Sequence, residues 1–262
     1  MTSVLEEILR YTRKRVEIEK NILKALPDRT HAVNDLYGRL LEHARRGVLG
    51  IISEYKRASP RGVINLSLSV EEFYEKTRNM SAAYSVLTEP RWFLGSYLFL
   101  RELRELDRTT PILMKDFVVD TWQIDLAYSL GADAVLLIVK VLGERELERY
   151  VEKARSLGLN VILEVDSMRD AEAIARCYDS TPGVILGVNS RDLTTLQVDL
   201  PRACNIVKNL EFRGPIIVES GVKSREDVLL IRRTGRASGV LVGTSIMRNI
   251  DLLRDLHEAA TR

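Results

Sequence analysis

From Gly47 onward the chain repeats one alternation eight times: a short apolar run, then a stretch with helical spacing. The runs are Val48–Tyr55, Ala82–Leu87, Ile112–Met114, Ala134–Val139, Val161–Val165, Val184–Val188, Ile216–Val218 and Gly239–Val242. They are rich in Val, Ile and Leu and mostly lack polar alternation, which suits parallel strands buried on both faces. Their starts lie roughly 22 to 34 residues apart, the size of one strand–helix unit. Ser69 with Glu72, and Asp120 with Gln123, have the reciprocal spacing of a capping box. Gly131 and Gly158 stand as helix stops, and Pro201 sits where a first helical turn begins. Eight such units predict a (β/α)8 TIM barrel. A doubly wound open sheet is the alternative, weakened by the lack of a Gly-x-Gly-x-x-Gly turn after the first run. Ahead of the repeat, residues 3–25 read as a charged amphipathic helix with Val4, Ile8, Tyr11, Ile18 and Ile22 near helical spacing. Residues 32–46 read as a second helix. The expected organisation is a single barrel domain over residues 1–262, with 1–46 as an N-terminal helical extension packed outside the barrel or across one end.

A barrel of this size needs a large core, and 45% of the 262 residues are hydrophobic. The 39 basic and 37 acidic side chains nearly cancel. A net charge of +2 argues against a general nucleic-acid or membrane-surface binder, while leaving room for a local basic pocket. No apolar run reaches membrane-spanning length and the N-terminus lacks an apolar signal segment, so a soluble, cytoplasmic protein is expected. Cys177 and Cys204 lack metal-ligand spacing and read as small apolar fillers of helices in a reduced compartment. His31, His43 and His257 also fall in helical stretches, away from the ends of the runs. No metal is indicated, and acid–base work falls to lysines and glutamates.

In a barrel the chemistry stands at the carboxyl ends of the strands. The first run ends in Glu54 and Lys56, which period-two alternation puts on one side. The third ends in Lys115, the fourth in Lys140, the fifth in Glu164, the sixth in Asn189 with Arg191 beyond it. Taken alone, Lys115 in Pro111–Phe117 is either a solvated strand end or a piece of chemistry, because burying an ammonium is costly unless it is paired or used. A row of strand ends carrying Glu, Lys, Asn or Arg points to one converging active site. After the seventh and eighth runs, Glu219-Ser220-Gly221 and Gly243-Thr244 set glycines beside hydroxyls, at the place where this fold frequently holds phosphate. A small phosphorylated substrate is expected. Phe93, Phe117, Leu136 and Leu193 fit either ordinary packing or a wall for an aromatic group.

The blocks Glu54–Pro60, Ser85–Glu89, Ile112–Phe117, Leu136–Val139, Leu163–Val165, Gly187–Leu193 and Val218–Val222 together resemble the indole-3-glycerol phosphate synthase family, over about residues 48–248. The resemblance implies a cofactor-independent barrel that closes the indole ring of 1-(2-carboxyphenylamino)-1-deoxyribulose 5-phosphate with loss of carbon dioxide and water, in tryptophan biosynthesis. It implies Lys115 as general acid toward the ribulose carbonyl and Glu164 as general base. Lys56 would hold the anthranilate carboxylate and is the alternative acid at dehydration. Glu54 would pair with the lysines, and Asn189 and Glu219 would hydrogen-bond the sugar hydroxyls or the developing intermediate. Ser59, Gly221, Gly243 and Thr244 would take the phosphate, and Ser220 is among the substrate-binding residues. Arg191 joins the substrate-binding set, while Phe93, Phe117, Leu136 and Leu193 would wall the aromatic ring. Thr244 stands where the family has serine, and Leu94 and Arg61 are atypical. Rival readings are a Schiff-base lyase using Lys115 or Lys140, a sugar-phosphate isomerase, and a non-catalytic phosphate binder. The expected partner is a small molecule rather than nucleic acid or membrane, and the expected assembly a monomer or weak homo-oligomer.

Overall fold

A computed structural model of the chain describes residues 3–192 and 195–262. Its central strands are β1 (Gly50–Tyr55), β2 (Ala83–Leu87), β3 (Ile112–Lys115), β4 (Ala134–Ile138), β5 (Asn160–Val165), β6 (Val184–Asn189), β7 (Ile216–Glu219) and β8 (Gly239–Val242). Each pairs in parallel with its neighbours in sequence, and β8 closes on β1. The eight apolar runs are therefore all barrel strands, with ends that differ from expectation by a residue or two. A two-stranded hairpin, Ala58–Ser59 against Gly62–Val63, follows β1.

Helices α1 (Val4–Ile22) and α2 (Leu36–Arg45) precede the barrel. The outer layer holds α3 (Val70–Thr77), α4 (Tyr97–Leu106), α5 (Thr121–Leu130), α6 (Glu144–Ser156), α7 (Met168–Tyr178), α8 (Leu200–Asn209), α9 (Arg225–Arg232), α10 (Thr244–Arg248) and α11 (Leu252–Thr261). Residues such as Ile51, Val86, Met114, Val135 and Val161 point outward into the apolar layer under these helices. Alternate residues fill the barrel: Ile52, Ala83, Leu113, Ala134, Leu136, Ile162, Ile185, Ile217 and Leu241 form one cluster with Leu36 and Leu40 of α2. Helix α2 thus stops the amino-terminal end of the barrel. Leu40 reaches in where Gly50 and Gly239 leave space, since a Cβ on either would come within 3.2 Å of its Cδ2.

The extension is bound to the barrel by buried ions rather than by apolar contact alone. Arg29 and Arg104 both pair with Asp133, a fully buried residue just before β4. Asp133 also accepts the backbone N–H groups of Asn34 and Ile112, each at 2.9 Å. These bonds hold residues 29–34 extended, which is why the second helix begins at Leu36 and not at 32. On α1, Arg15 donates to both oxygens of Asp116 at 2.9 Å, one residue beyond Lys115. That pairing sets the rotation of α1. Its buried face is Ile8, Thr12, Arg15 and Val16, whereas Ile18 and Ile22, expected on the apolar face, are 58% and 72% exposed.

Smaller corrections have local causes. Ser69 accepts the Glu72 N–H at 3.0 Å without a reciprocal bond, and Gln123 reaches past the cap residue Asp120 to the Val119 N–H at 2.8 Å. His31 lies in the extended stretch before α2 rather than in a helix. Cys204 is buried as expected, but Cys177 on α7 is exposed, and both are free thiols. Among the described residues no helix is long and apolar enough to cross a membrane.

Asp133 is the strongest stability test. Asp133→Ala leaves two buried guanidinium groups without their carboxylate, and removing one partner of a buried pair costs about 3–5 kcal/mol. Urea unfolding should show a loss of that size; a loss below about 1 kcal/mol would mean that Arg29 and Arg104 find other partners.

Candidate active site

The strand parity that fills the barrel also builds the site. Inward positions along β1 run Ile52, Glu54, with Lys56 next; along β3, Leu113 then Lys115; along β5, Ile162 then Glu164; along β7, Ile217 then Glu219. Each series is apolar below and ionisable at the carboxyl end, because side chains alternate faces every residue. The register sets Leu87 beside Lys115, Glu164 beside Gly187, and Asn189 beside Glu219. Of the groups expected from sequence, Glu54, Lys56, Lys115, Glu164, Asn189 and Glu219 are therefore set around one mouth.

Lys115 Nζ donates to Glu219 Oε2 and lies 3.3 Å from Glu164 Oε2. Lys56 Nζ sits 2.6 Å from Glu54 Oε1, and Ser85 Oγ donates to Glu54 Oε2 at 3.4 Å. Glu54, Glu164 and Glu219 are all nearly inaccessible to solvent. Burial disfavours the charged form of Lys115, but Glu219, Glu164 and Glu54 outweigh it and hold its pKa above the ordinary lysine value. Glu219 moves oppositely: burial lifts its pKa to about 7, with Lys115 opposing and Glu164 and Glu54 reinforcing the rise.

Two glycines make room for these carboxylates. A Cβ on Gly187 would stand 2.3 Å from Glu219 Oε1, and one on Gly243 would stand 2.2 Å from Glu54 Oε1. Gly243 thus serves Glu54 directly, beyond the phosphate role expected of it. After β7, Ser220 and Gly221 both take left-handed backbone, φ +65° and +84°, which turns the chain sharply at the mouth. Ser245 Oγ donates to the Val222 carbonyl at 2.7 Å and ties this turn to α10, which begins at Thr244.

The remaining predicted residues take varied positions. Phe93 and Phe117 face each other with ring centroids 6.1 Å apart, and Phe117 packs on the barrel-interior cluster that contains Leu136. Asn189 Oδ1 accepts the Arg191 N–H at 2.9 Å. Arg191 Nη1 and Arg61 Nη2 donate to one carbonyl, that of Leu196, at 3.1 and 2.7 Å. Ser59 Oγ accepts the Arg61 N–H at 3.3 Å within the hairpin after β1. Lys140 lies 2.5 Å from Asp166 and away from Lys115's carboxylates. Leu193 lies outside the described residues.

Several supports were not read from sequence. Glu89, fully buried, accepts the N–H groups of Arg91, Trp92 and Phe93 at 2.9, 2.7 and 3.1 Å, and so shapes the loop that carries Phe93. The Phe93 carbonyl in turn accepts the Ala58 N–H at 3.1 Å, joining that loop to the hairpin beyond Lys56. Ser85 was findable, since it shares Glu54's inward parity on the adjacent strand. Gly187 was findable too, because a lone glycine in an apolar strand often marks a close approach. Among the described residues no group of three or more His, Cys, Asp or Glu side chains is arranged to hold a metal ion.

Comparison with known proteins places the chain in a family. The family described as indole-3-glycerol phosphate synthase matches residues 5–259. An indole-3-glycerol phosphate synthase of Pyrobaculum arsenaticum is 44% identical over 218 residues, covering 82% of this chain and 83% of the relative. Those of Pyrobaculum neutrophilum and Thermoanaerobacter pseudethanolicus are 41% and 37% identical over 254 residues, with 94–95% of each chain covered. Among solved structures, 3-hexulose-6-phosphate synthase from Salmonella typhimurium matches with a TM-score of 0.64 at 17% identity, over 81% of this chain and 98% of that one. That likeness speaks for the barrel alone. The family match and the curated relatives carry more, and by them the chain belongs to the indole-3-glycerol phosphate synthase family.

Proposed function

We propose that this barrel converts 1-(2-carboxyphenylamino)-1-deoxyribulose 5-phosphate to indole-3-glycerol phosphate, releasing carbon dioxide and water. The reaction follows from family membership. The observation that carries the residue roles is Lys115, an ammonium held in the mouth between Glu164 and Glu219.

Ring closure begins when the ring carbon bearing the carboxylate attacks the ribulose carbonyl. Negative charge develops on that oxygen, and Lys115 supplies its proton. The carboxylate then leaves as carbon dioxide and the ring regains aromaticity. Dehydration follows: the hydroxyl departs with a proton while Glu164 removes a C–H proton from the adjacent ring carbon. Lys56, with three donors, keeps Glu54 and offers another to the substrate carboxylate. Phe93, Phe117 and Leu136 line the aromatic portion, and Asn189 turns toward the sugar. Ser59, Ser220, Gly221, Gly243 and Thr244 take the phosphate, with Arg191 beside them.

The Schiff-base reading requires a neutral lysine amine as nucleophile. The three carboxylates around Lys115 favour its ammonium form, which fits an acid and opposes a nucleophile. The isomerase reading wants a cysteine on β1, whereas the two cysteines lie on α7 and α8.

Incubation with the carboxyphenylamino sugar phosphate should generate indole fluorescence, and a folded sample that makes none would refute the proposal. In that assay Lys115→Met should lose roughly 100- to 10,000-fold in turnover, the usual share of a general acid, while retaining its fold. Near-normal turnover would move the acid role to Lys56. Gly187→Ala should displace Glu219 and lower turnover by about 100-fold, the scale of a misplacement near 1 Å. Its stability should drop by about 1–3 kcal/mol from overpacking, read as a lowered Tm. An alanine variant with full activity would show that Glu219 tolerates movement.

A further inference from the structure

The ring-closure reaction uses one more proton than it returns. One proton goes to the carbonyl oxygen and a second to the departing hydroxyl, and only one C–H proton comes back, to Glu164. Loss of an anionic carboxylate as neutral carbon dioxide expresses the same balance in charge. A site that runs this chemistry starts with two deliverable protons, and Lys115 holds one of them.

Glu219 is suited to hold the other. It is 1% exposed and stands at the carboxyl end of β7. It faces Lys115 from β3, Glu164 from β5 and Glu54 from β1; Glu54 is itself paired with Lys56 and also acts on Arg191, beyond β6. One oxygen contacts Lys115. The other, Oε1, is buried, rests against the space that Gly187 leaves open, and has no hydrogen-bond partner among the described residues. An ionised carboxylate buried with one oxygen unpaired is costly, whereas the neutral acid is much less so. The rise of its pKa to about 7 agrees with that environment.

We infer that Glu219 enters turnover as the carboxylic acid and reloads Lys115 between the two acid steps. The inference rests on the ring-closure reading above. After ring closure Lys115 is a neutral amine. With Lys115 no longer donating to Oε2, the carboxyl group turns to present its O–H to the amine; that O–H bond breaks, its electron pair stays on the carboxylate, and a new N–H bond forms on the adjacent Lys115. Transfer runs downhill, since an amine binds a proton far more tightly than a carboxylate. Lys115 then protonates the departing hydroxyl, and Glu164 takes the C–H proton. As product leaves, Glu164 returns that proton to Lys115 over their 3.3 Å contact, and Glu219 recovers its own from bulk solvent. One solvent proton is consumed per turnover, as the overall reaction requires.

The two halves of the reaction can be timed separately in a single turnover, by carbon dioxide release and by indole fluorescence. Glu219→Gln keeps the side chain's size and a hydrogen-bonding group but has no proton to give. It should release carbon dioxide within about tenfold of the unaltered enzyme while indole formation slows by about 100-fold or more, the lower range for a lost acid. The decarboxylated hydroxy intermediate should accumulate and be identifiable by mass. Equal slowing of both signals, or unslowed indole formation, overturns the inference. The unaltered enzyme gives an independent check that does not depend on the variant folding. As pH rises through about 7, Glu219 loses its proton, so the indole step should slow while carbon dioxide release holds. An indole step that stays flat across that range also overturns it. Failure of the unaltered enzyme to give either signal would instead refute the ring-closure reading.

Discussion

Every second side chain of a barrel strand points inward, and in this chain that parity carries two different burdens along each strand. Lower in the barrel the inward positions hold Ile52, Leu113, Ile162 and Ile217, sealed by Leu36 and Leu40 of α2. One step of two residues higher, the same positions hold Glu54, Lys115, Glu164 and Glu219. The apolar layers exclude water beneath the ionisable ones, and a low-dielectric floor strengthens every charge interaction above it. A slip of one residue in any of these strands would bury its charged group under the outer helices and turn an outer aliphatic into the mouth. Register is therefore the constraint on which both core and chemistry depend.

Burial gives the mouth its electrostatic character. Ion pairing alone would leave Lys115 and Glu219 both charged and inert toward proton transfer. Instead Lys115 is shared by Glu164 and Glu219, and among the described residues only one oxygen of Glu219 is engaged. The arrangement spreads one ammonium over two carboxylates and lowers the cost of protonating one of them. Gly187 and Gly243 are part of this design, since a methyl group at either position would occupy a carboxylate's place.

The loops around the mouth are joined to one another and to the extension. Arg15 grips Asp116, whose carboxylate also takes the Thr88 hydroxyl at 2.8 Å and the Phe117 N–H at 2.8 Å. The residue after Lys115 is thereby anchored to α1 and to the loop after β2 at once. Glu89 orders that loop, its Phe93 carbonyl holds the hairpin after β1, and Arg61 in the hairpin reaches the Leu196 carbonyl beyond β6. Arg61, atypical by resemblance, serves here as a strut between two loops. Such contacts position the ionisable groups of the mouth without touching them.

Much of this was legible in the chain itself. Hydrophobic runs of strand length, spaced by one helix, determine a closed parallel sheet, and the inward-facing position at the carboxyl end of each run must then face the mouth. Glu54, Lys115, Glu164 and Glu219 follow from that rule because it depends only on local periodicity. What sequence did not disclose depends on pairs far apart in the chain, such as Arg15 with Asp116 and Arg29 with Asp133, at separations of 101 and 104 residues. The helical period of α1 suggested an apolar face through Ile18 and Ile22, yet a buried ion pair outweighed those contacts and turned the helix. The sequence by itself determined the barrel and placed Glu54, Lys115, Glu164 and Glu219 at its mouth. Only the tertiary structure decided which carboxylates share Lys115 and which oxygen of Glu219 stays unpaired, because those follow from inter-strand register and burial, which no local pattern encodes.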